Sequence, residues 1–251
     1  MRIFTSIEEW RDYRSALWQK PVGFVPTMGA LHAGHLSLVE ESLKNNETTV
    51  VSIFVNPKQF DEDRDFKAYP VDLEKDLSAL EEVGVSAVLL PDTKQMYADD
   101  YRFKVSESEF SRRLCGAHRP GHFDGVLTVV MRLLNIVRPD NAYFGEKDYQ
   151  QLKLIRDMVS AFFMPVNIVG CKTLRELDGL AMSSRNQRLD ADEREKAASL
   201  NATLRHSRDS EEAKRLLGDQ GFEVDYVEDF DGRRLAAVRL GDTRLIDNVE
   251  I

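Results

Sequence analysis

The sequence predicts an α/β chain, a parallel sheet with helices on both faces followed by a smaller α+β unit. Three observations predict it. Short β-branched runs alternate with helix-period segments through the first two thirds. One run, "TTVVSIFV", is continuously apolar, as in a strand buried on both faces. From about Leu174 the alternation stops and antiparallel patterning takes over.

In order, "TSIEEWRDYRSAL" opens with a capping box of Ser6 and Glu9 and continues as an amphipathic helix. "VGFVP" reads as a strand, "HLSLVEESLK" as a helix and "TTVVSIFV" as the buried strand. "DLEKDLSALEEVG" is a helix closed by Gly84, and "VSAVLLP" a strand. "DGVLTVVMRLLNIVRP" and "DYQQLKLIRDMVSAFF" are helices, each followed by a short strand, "NAYFG" and "VNIVG". After the polar loop "LRELDGLAMSSRNQRL" come a charged helix opening near Asp190 and a second helix, "SEEAKRLLG". The chain ends in "VDYVEDF" and "LAAVRLGDTRLIDNV", antiparallel strands around a Gly-Asp turn.

The 251 residues are 42% hydrophobic, enough for a core, and carry a formal charge of −9. That charge disfavours a nucleic-acid partner gripped through its phosphates but permits a small anionic ligand in a local positive site. Two cysteines, Cys115 and Cys171, lack metal or disulfide spacing and suit a reducing compartment. With no signal-peptide pattern and no membrane-length apolar run, a soluble cytoplasmic protein without a membrane partner is expected.

Open parallel sheets bind ligands at the carboxyl ends of their strands. Four polar or glycine-bearing stretches follow such ends here: "PTMGALHAGH", "NPKQF", "GEKDYQQL" and "TLRELDGLAMSSRN". In the first, glycines let backbone N–H groups approach a phosphate, and the following helix offers its positive end. His32 and His35 then donate hydrogen bonds to charge developing on a phosphoryl group. A lone histidine at a helix start is commonly an incidental cap, but His-x-Gly-His directly after a strand is far more specific.

The other stretches are weaker taken singly. "GEKD" places Lys147 to neutralise phosphate charge and Asp148 to cap a helix, although alone it reads better as a solvated charged loop. "MSSRN" supplies the hydroxyls of Ser183 and Ser184 with the fork of Arg185, a set suited to polyphosphate oxygens. Asn56 and Gln59 in "FVNPKQF" are neutral amides that read hydroxyls and carboxylates. Arg119 and His122 in "RPGHF" sit on a glycine turn before a helix. Together the groups indicate a nucleotide-dependent enzyme acting on a small polar substrate. The sequence carries no hydrolase elbow, metal-ligand cluster or Walker "GKT" or "GKS".

The blocks "PTMGALHAGH", "VSIFVNPKQF", "RPGHFDGV", "YFGEKDYQQL" and "DGLAMSSRN" together resemble the pantoate–β-alanine ligase family. The resemblance runs from about Val22 to Asn186, with an echo in "RLGDTRLIDN". It implies a Rossmann-like parallel-sheet domain of the nucleotidyltransferase type over residues 1–173, with a small α+β lid domain over 174–251. The implied reaction has two steps. Pantoate attacks the α-phosphate of ATP and releases pyrophosphate, and the amine of β-alanine then displaces AMP from pantoyl adenylate. A homodimer and Mg²⁺ accompanying ATP are also implied.

Carried over residue by residue, Met28, Gly29, Ala30, Leu31, His32, Ala33, Gly34 and His35 bind ATP, with His35 and His32 on the phosphates. Gly145, Glu146, Lys147, Asp148, Leu174, Met182, Ser183, Ser184 and Arg185 complete that site. Lys147, Ser183, Ser184 and Arg185 join the two histidines as catalytic candidates. Gln59 and Gln151 bind pantoate, with Asn56 and Arg119 beside them. The sequence reads "CKTLRELDGLA" where the family often has "VPTVREADGLA", and its carboxyl-terminal part looks short. Acidic side chains near Asp76 are candidates to touch Mg²⁺.

Two other classes compete. A nucleotidyltransferase of the same superfamily would stop after one transfer, and the glutamines with "RPGHF" and "GEKD" disfavour it. A non-catalytic nucleotide-binding module would be expected to show degraded site residues. A tRNA synthetase is disfavoured by length and acidity.

Overall fold

The computed structural model describes residues 1–17, 20–61 and 63–251. It divides the chain into two compact units, one of Met1–Gly145 and Gln150–Cys171, the other of Glu146–Tyr149 and Lys172–Ile251.

The first unit is built on a six-stranded parallel sheet. Its strands are β1 (Arg2–Phe4), β2 (Val22–Thr27), β3 (Thr48–Ile53), β4 (Ala87–Leu89), β5 (Asn141–Gly145) and β6 (Asn167–Cys171), in the order β1-β4-β3-β2-β5-β6. The chain steps outward from β2 to β3 and β4, then returns to the other side of β2 as β5. The carboxyl end of β2 is therefore the topological switch point, where such sheets bind ligands. Val25, Val51 and Val88 sit within the central strands and pack with Val39, Leu80 and Tyr143.

Helices α1 (Ile7–Ala16), α2 (Ala33–Asn45), α3 (Asp63–Lys67), α4 (Leu73–Glu82), α5 (Thr93–Met96), α6 (Cys115–His118), α7 (His122–Val137) and α8 (Tyr149–Ala161) connect the strands. The Ser6 hydroxyl caps α1 by accepting the Glu9 N–H at 3.3 Å. Trp10 is fully buried on α1 and donates to the Ile136 carbonyl of α7 at 2.9 Å. Helix α4 closes as expected at Gly84. The Gly84 N–H bonds to Glu81 and the Val85 N–H to Leu80, the paired bonds of a Schellman end. Strand β1 lacks a pattern of its own: three residues are too few to show a period, and pairing with β4 creates it.

The second unit is a three-stranded antiparallel sheet with three helices, α9 (Ala191–Ala197), α10 (Ser199–His206) and α11 (Ser210–Asp219). Strands β7 (Glu223–Phe230), β8 (Arg233–Leu240) and β9 (Thr243–Glu250) are joined by two-residue loops. Asp231 and Gly232 both take positive φ, as a type I′ hairpin requires. The expected Gly-Asp turn lies at Gly241-Asp242. Leu200, Leu204, Ala213, Leu217, Val238 and Leu245 fill the core. Arg234, 2% exposed, pairs with Asp229 and donates to the carbonyls of Leu204 and Ser207 at the end of α10. Those carbonyls have no partner within the helix, so the buried guanidinium satisfies them. Among the described residues no helix is long and apolar enough to cross a membrane.

Candidate active site

Strand β2 delivers Thr27 to the switch point, and the loop from Met28 to His32 leads into α2. His32 is the N-cap of that helix: its Nδ1 accepts the Gly34 N–H at 3.1 Å. Nδ1 of His35 accepts the His32 N–H at 3.4 Å. Two imidazoles thus form a reciprocal capping box in place of the usual serine and glutamate. The ring centroids lie 4.1 Å apart. A ring nitrogen that accepts an amide hydrogen carries none of its own, so in each neutral ring the hydrogen is on Nε2. The cap therefore selects the tautomer that donates from Nε2.

The glycine loop is held from below by an acid that sequence reasoning left uncertain. Asp76 on α4 is 2% exposed, and its two oxygens accept the N–H groups of Ala30 at 2.8 Å and Leu31 at 2.7 Å. Gly29 bonds to the Thr27 hydroxyl at 3.2 Å. The amides of Gly29, Ala30, Leu31 and His32, expected to approach a phosphate, bond within the protein in this structure. Gly29 has a different reason to be glycine: its φ is +82°, and a Cβ would stand 2.9 Å from the Asp76 carboxylate. Burial pushes the Asp76 pKa up, while the Leu31 and Ala30 amides pull it down.

Strand β3 runs beside β2 and its carboxyl end brings Asn56 and Gln59 to the same loop. Asn56 is 1% exposed. Its Oδ1 accepts the Lys58 N–H at 3.1 Å and the Tyr97 hydroxyl at 2.6 Å, and its Nδ2 donates to the Gly125 carbonyl and to Oε1 of Gln59. Lys58 N–H can only donate and Gly125 C=O can only accept, so the orientation of the Asn56 amide is fixed. That in turn makes Oε1 of Gln59 the acceptor and turns its Nε2 to Met28, 2.9 Å from the sulfur. Gln59 therefore presents N–H donors beside the histidine loop. Asn56, expected to read substrate directly, spends its amide on the protein and orients Gln59 instead.

The "RPGHF" turn braces the same residue. The Gln59 carbonyl lies 2.7 Å from Nδ1 of His122 and 3.3 Å from Nη2 of Arg119. Arg119 also pairs with Asp61 at 2.9 Å and contacts His122, so its guanidinium too is turned to the protein. Gly125 lets α7 approach closely, since a Cβ there would run into the Lys58 carbonyl. On α8, Gln151 is half-buried. Its neighbour Gln150 is buried and bonds to Cys115, Phe110 and Arg113.

Gly145 ends β5 in the first unit, and the second unit holds the remaining candidates. Glu146–Asp148 form a 3₁₀ turn after β5, and Ser184–Arg188 form another, capped by the Ser183 hydroxyl on the Arg185 N–H. Ser184 is 8% exposed. The Leu174 carbonyl accepts the Met182 N–H at 3.0 Å, and Arg175 bridges to Ala181, closing the loop between them. Arg175 makes a two-pronged ion pair with Asp247 at 2.7 and 2.9 Å. Tyr97, Asp247 and Asn248 carry no local motif that would assign them a role. Only "RLIDN", noted as an echo, pointed near two of them.

Among the described residues no group of three or more His, Cys, Asp or Glu side chains could hold a metal ion. Both oxygens of Asp76 are already bonded to the loop. Mg²⁺ commonly keeps few protein ligands and rides on substrate phosphates.

Comparison with known proteins identifies the family. Residues 2–250 match the family model described as Pantoate-beta-alanine ligase. The pantothenate synthetase of Bdellovibrio bacteriovorus is 52% identical over 251 residues, covering 100% of this chain and 98% of the relative. That of Legionella pneumophila is 49% identical over 249 residues, covering 99% of each. The carboxyl-terminal part that looked short is thus of a length these relatives share. A solved pantoate-β-alanine ligase from Francisella tularensis, complexed with β-γ ATP and β-alanine, superposes with a TM-score of 0.95 at 39% identity, covering 100% of this chain and 97% of that one. The solved pantothenate synthetase of Thermus thermophilus gives 0.91 at 42%, covering 100% and 99%. With its sheet order, histidine cap and full-length match, the chain belongs to the pantoate–β-alanine ligase family.

Proposed function

We propose that this chain joins pantoate to β-alanine with ATP, through a pantoyl-adenylate intermediate, releasing pyrophosphate and then AMP. The carrying observation is the pairing of Gln59 with the histidine loop: an amide locked as a donor contacts Met28, at the head of the loop whose imidazoles donate from Nε2. Donors on one side suit an incoming carboxylate, and donors on the other suit phosphate oxygens that gain charge as it attacks.

In the first step a carboxylate oxygen of pantoate forms a bond to the α-phosphorus, and the bond to pyrophosphate breaks. Gln59 and Gln151 orient the carboxylate, while His35 and His32 donate to the phosphate oxygens. Holding both reactants together makes attack effectively unimolecular. In the second step the β-alanine amine attacks the acyl carbon, loses a proton, and AMP leaves. Lys147, Ser183, Ser184 and Arg185 bind the phosphates. Met28 to His35, Gly145 to Asp148, Leu174 and Met182 complete the ATP contacts, and residues 174–251 act as a lid domain. Asn56 and Arg119 hold Gln59 in place. Mg²⁺ bound to ATP offsets phosphate charge. The two cysteines, Cys115 buried and Cys171 half-buried, suit a reducing cytoplasm, and the active form is a homodimer.

The test is exchange of labelled pyrophosphate into ATP. It should require pantoate and Mg²⁺ and proceed without β-alanine, and adding β-alanine should yield AMP and pantothenate. Exchange that waits for β-alanine would rule out a separate adenylate step. Absence of both exchange and product with pantoate would overturn the substrate assignment.

A further inference from the structure

The second unit contains a buried polar network that the motifs do not explain, centred on Asp247 and Asn248 in β9. Successive strand residues point to opposite faces, so these neighbours serve two different segments. Asp247 takes Arg175. Asn248, 3% exposed, donates from Nδ2 to the carbonyls of Glu146 at 2.9 Å and Lys147 at 3.0 Å. Its Oδ1 accepts from Arg233 at 2.7 Å. Two carbonyls on one side and a guanidinium on the other permit only this orientation of the amide.

Arg233 extends the grip. It pairs with Glu146 at 3.1 Å and Glu250 at 3.0 Å, and lies 4.9 Å over the Tyr149 ring. The Tyr149 hydroxyl in turn donates to Asp231 at 2.8 Å. The segment Glu146–Tyr149 is thus fastened to the β7–β8–β9 sheet by its main chain and by the side chains at both ends. This is why a turn that lies between β5 and α8 in sequence clusters with the carboxyl-terminal unit.

We propose that Asn248 is a positioning residue for ATP: by clamping the main-chain carbonyls of Glu146 and Lys147, it fixes the direction in which Lys147 meets the nucleotide. The inference rests on the ligase reading only in taking Lys147 as a phosphate ligand. The last strand of the chain then takes part in nucleotide binding while its side chain touches only protein. Replacing the amide by a carboxylate sets negative charge against two carbonyl oxygens and releases the turn, whereas a serine keeps one donor.

The test compares Asn248→Asp and Asn248→Ser with the unaltered chain, alone and combined with Lys147→Ala. ATP binding is read by calorimetry, adenylate formation by pyrophosphate exchange, and folding by circular dichroism. Asn248→Asp should weaken ATP binding and raise the KM for ATP about tenfold, with Asn248→Ser intermediate. The KM for β-alanine should move less than about twofold in the same variants. In the Lys147→Ala background the Asn248 changes should add almost nothing, because the group they act through is gone. If Asn248→Asp fails to fold, Asn248→Ser and its double variant decide the question. Equal losses with and without Lys147, or an unchanged ATP affinity, would overturn the proposal. Calorimetry with ATP keeps this result independent of the substrate assignment, which fails separately if the unaltered chain binds ATP but shows no pantoate-dependent exchange.

Discussion

Tyr97 donates its hydroxyl hydrogen at 2.6 Å to Asn56, the amide whose bonds to Lys58 and Gly125 fix how Gln59 faces the site. Burial pushes the Tyr97 pKa far above its ordinary value, so the hydroxyl stays protonated and remains a donor. Asn56→Asp keeps the bonds from Tyr97 and Lys58 but sets a carboxylate against Oε1 of Gln59 and the Gly125 carbonyl. The Gln59 amide then turns over and offers an oxygen to an anionic substrate. The KM for pantoate should rise about tenfold or more, equivalent to roughly 1.4 kcal/mol, with the KM for ATP little changed. Tyr97→Phe should cost about 1 kcal/mol of stability in urea unfolding and give a smaller shift of the same kind. Parallel rises for pantoate and ATP would show that the effect is general loosening.

The imidazole capping box allows folding and chemistry to be separated at His32 and His35. Asparagine is a good N-cap and glutamine serves well at the third helical position, so His32→Asn and His35→Gln should retain the start of α2. Neither can provide the Nε2 donor of the ring. Turnover should fall roughly 10²–10⁴-fold in each, while urea unfolding stays within about 1 kcal/mol of the unaltered chain. His32→Ala should lose the cap as well, at a cost of about 1 kcal/mol. Near-normal turnover in His35→Gln would remove that ring from the chemistry.

Asp76 gives a pH dependence with a definite sign. Burial is the largest influence on its carboxyl and raises the pKa above 3.8, against the pull of the Leu31 and Ala30 amides. The folded chain therefore holds this proton more firmly than the unfolded chain. Stability from this group is complete below 3.8 and is lost as pH rises through the folded value. Asp76→Asn removes the titration. The stability of the unaltered chain minus that of the variant should fall as pH rises through this window, then level off. Urea unfolding from below 3.8 to neutrality measures it, and a difference that grows with pH contradicts the assignment.

The parts legible in sequence were those whose physics is local. Apolar runs gave β2 and β3, Gly84 closed α4, and His-x-Gly-His after a strand marked the switch point. The loop's glycine has a second role that the sequence hides: Gly29 accommodates Asp76, 47 residues further on, as well as a sharp turn. The internal partners of Asn56 are not legible in the sequence, because the tyrosine and the helix carbonyl that bond it lie 41 and 69 residues away. Asn248 lies in the "RLIDN" echo, but its role is hidden for the same reason. A buried amide is recognisable only from the groups it joins, and those are set by the tertiary fold.

Arg175 and Asp247 supply the last prediction, because their pair joins the loop that carries Met182 to the strand that carries Asn248. Asp247 is 3% exposed, and it is bonded by both guanidinium nitrogens, by Asn201 at 3.1 Å and by the Asn248 N–H at 2.7 Å. Removing the arginine leaves a carboxylate buried with two neutral donors, so Arg175→Ala should destabilise the chain by about 3 kcal/mol. Arg175→Lys keeps the charge but loses the fork that also reaches the Gly179 and Asn248 carbonyls, and should cost about 1–2 kcal/mol. Asp247→Asn puts an NH₂ group against the guanidinium and should cost a similar amount. If the two groups act as one unit, Arg175→Lys combined with Asp247→Asn should cost clearly less than the sum of the single changes. Urea unfolding of the four proteins decides this. Additive losses would show that the Arg175 loop is held by its carbonyl contacts rather than by the ion pair.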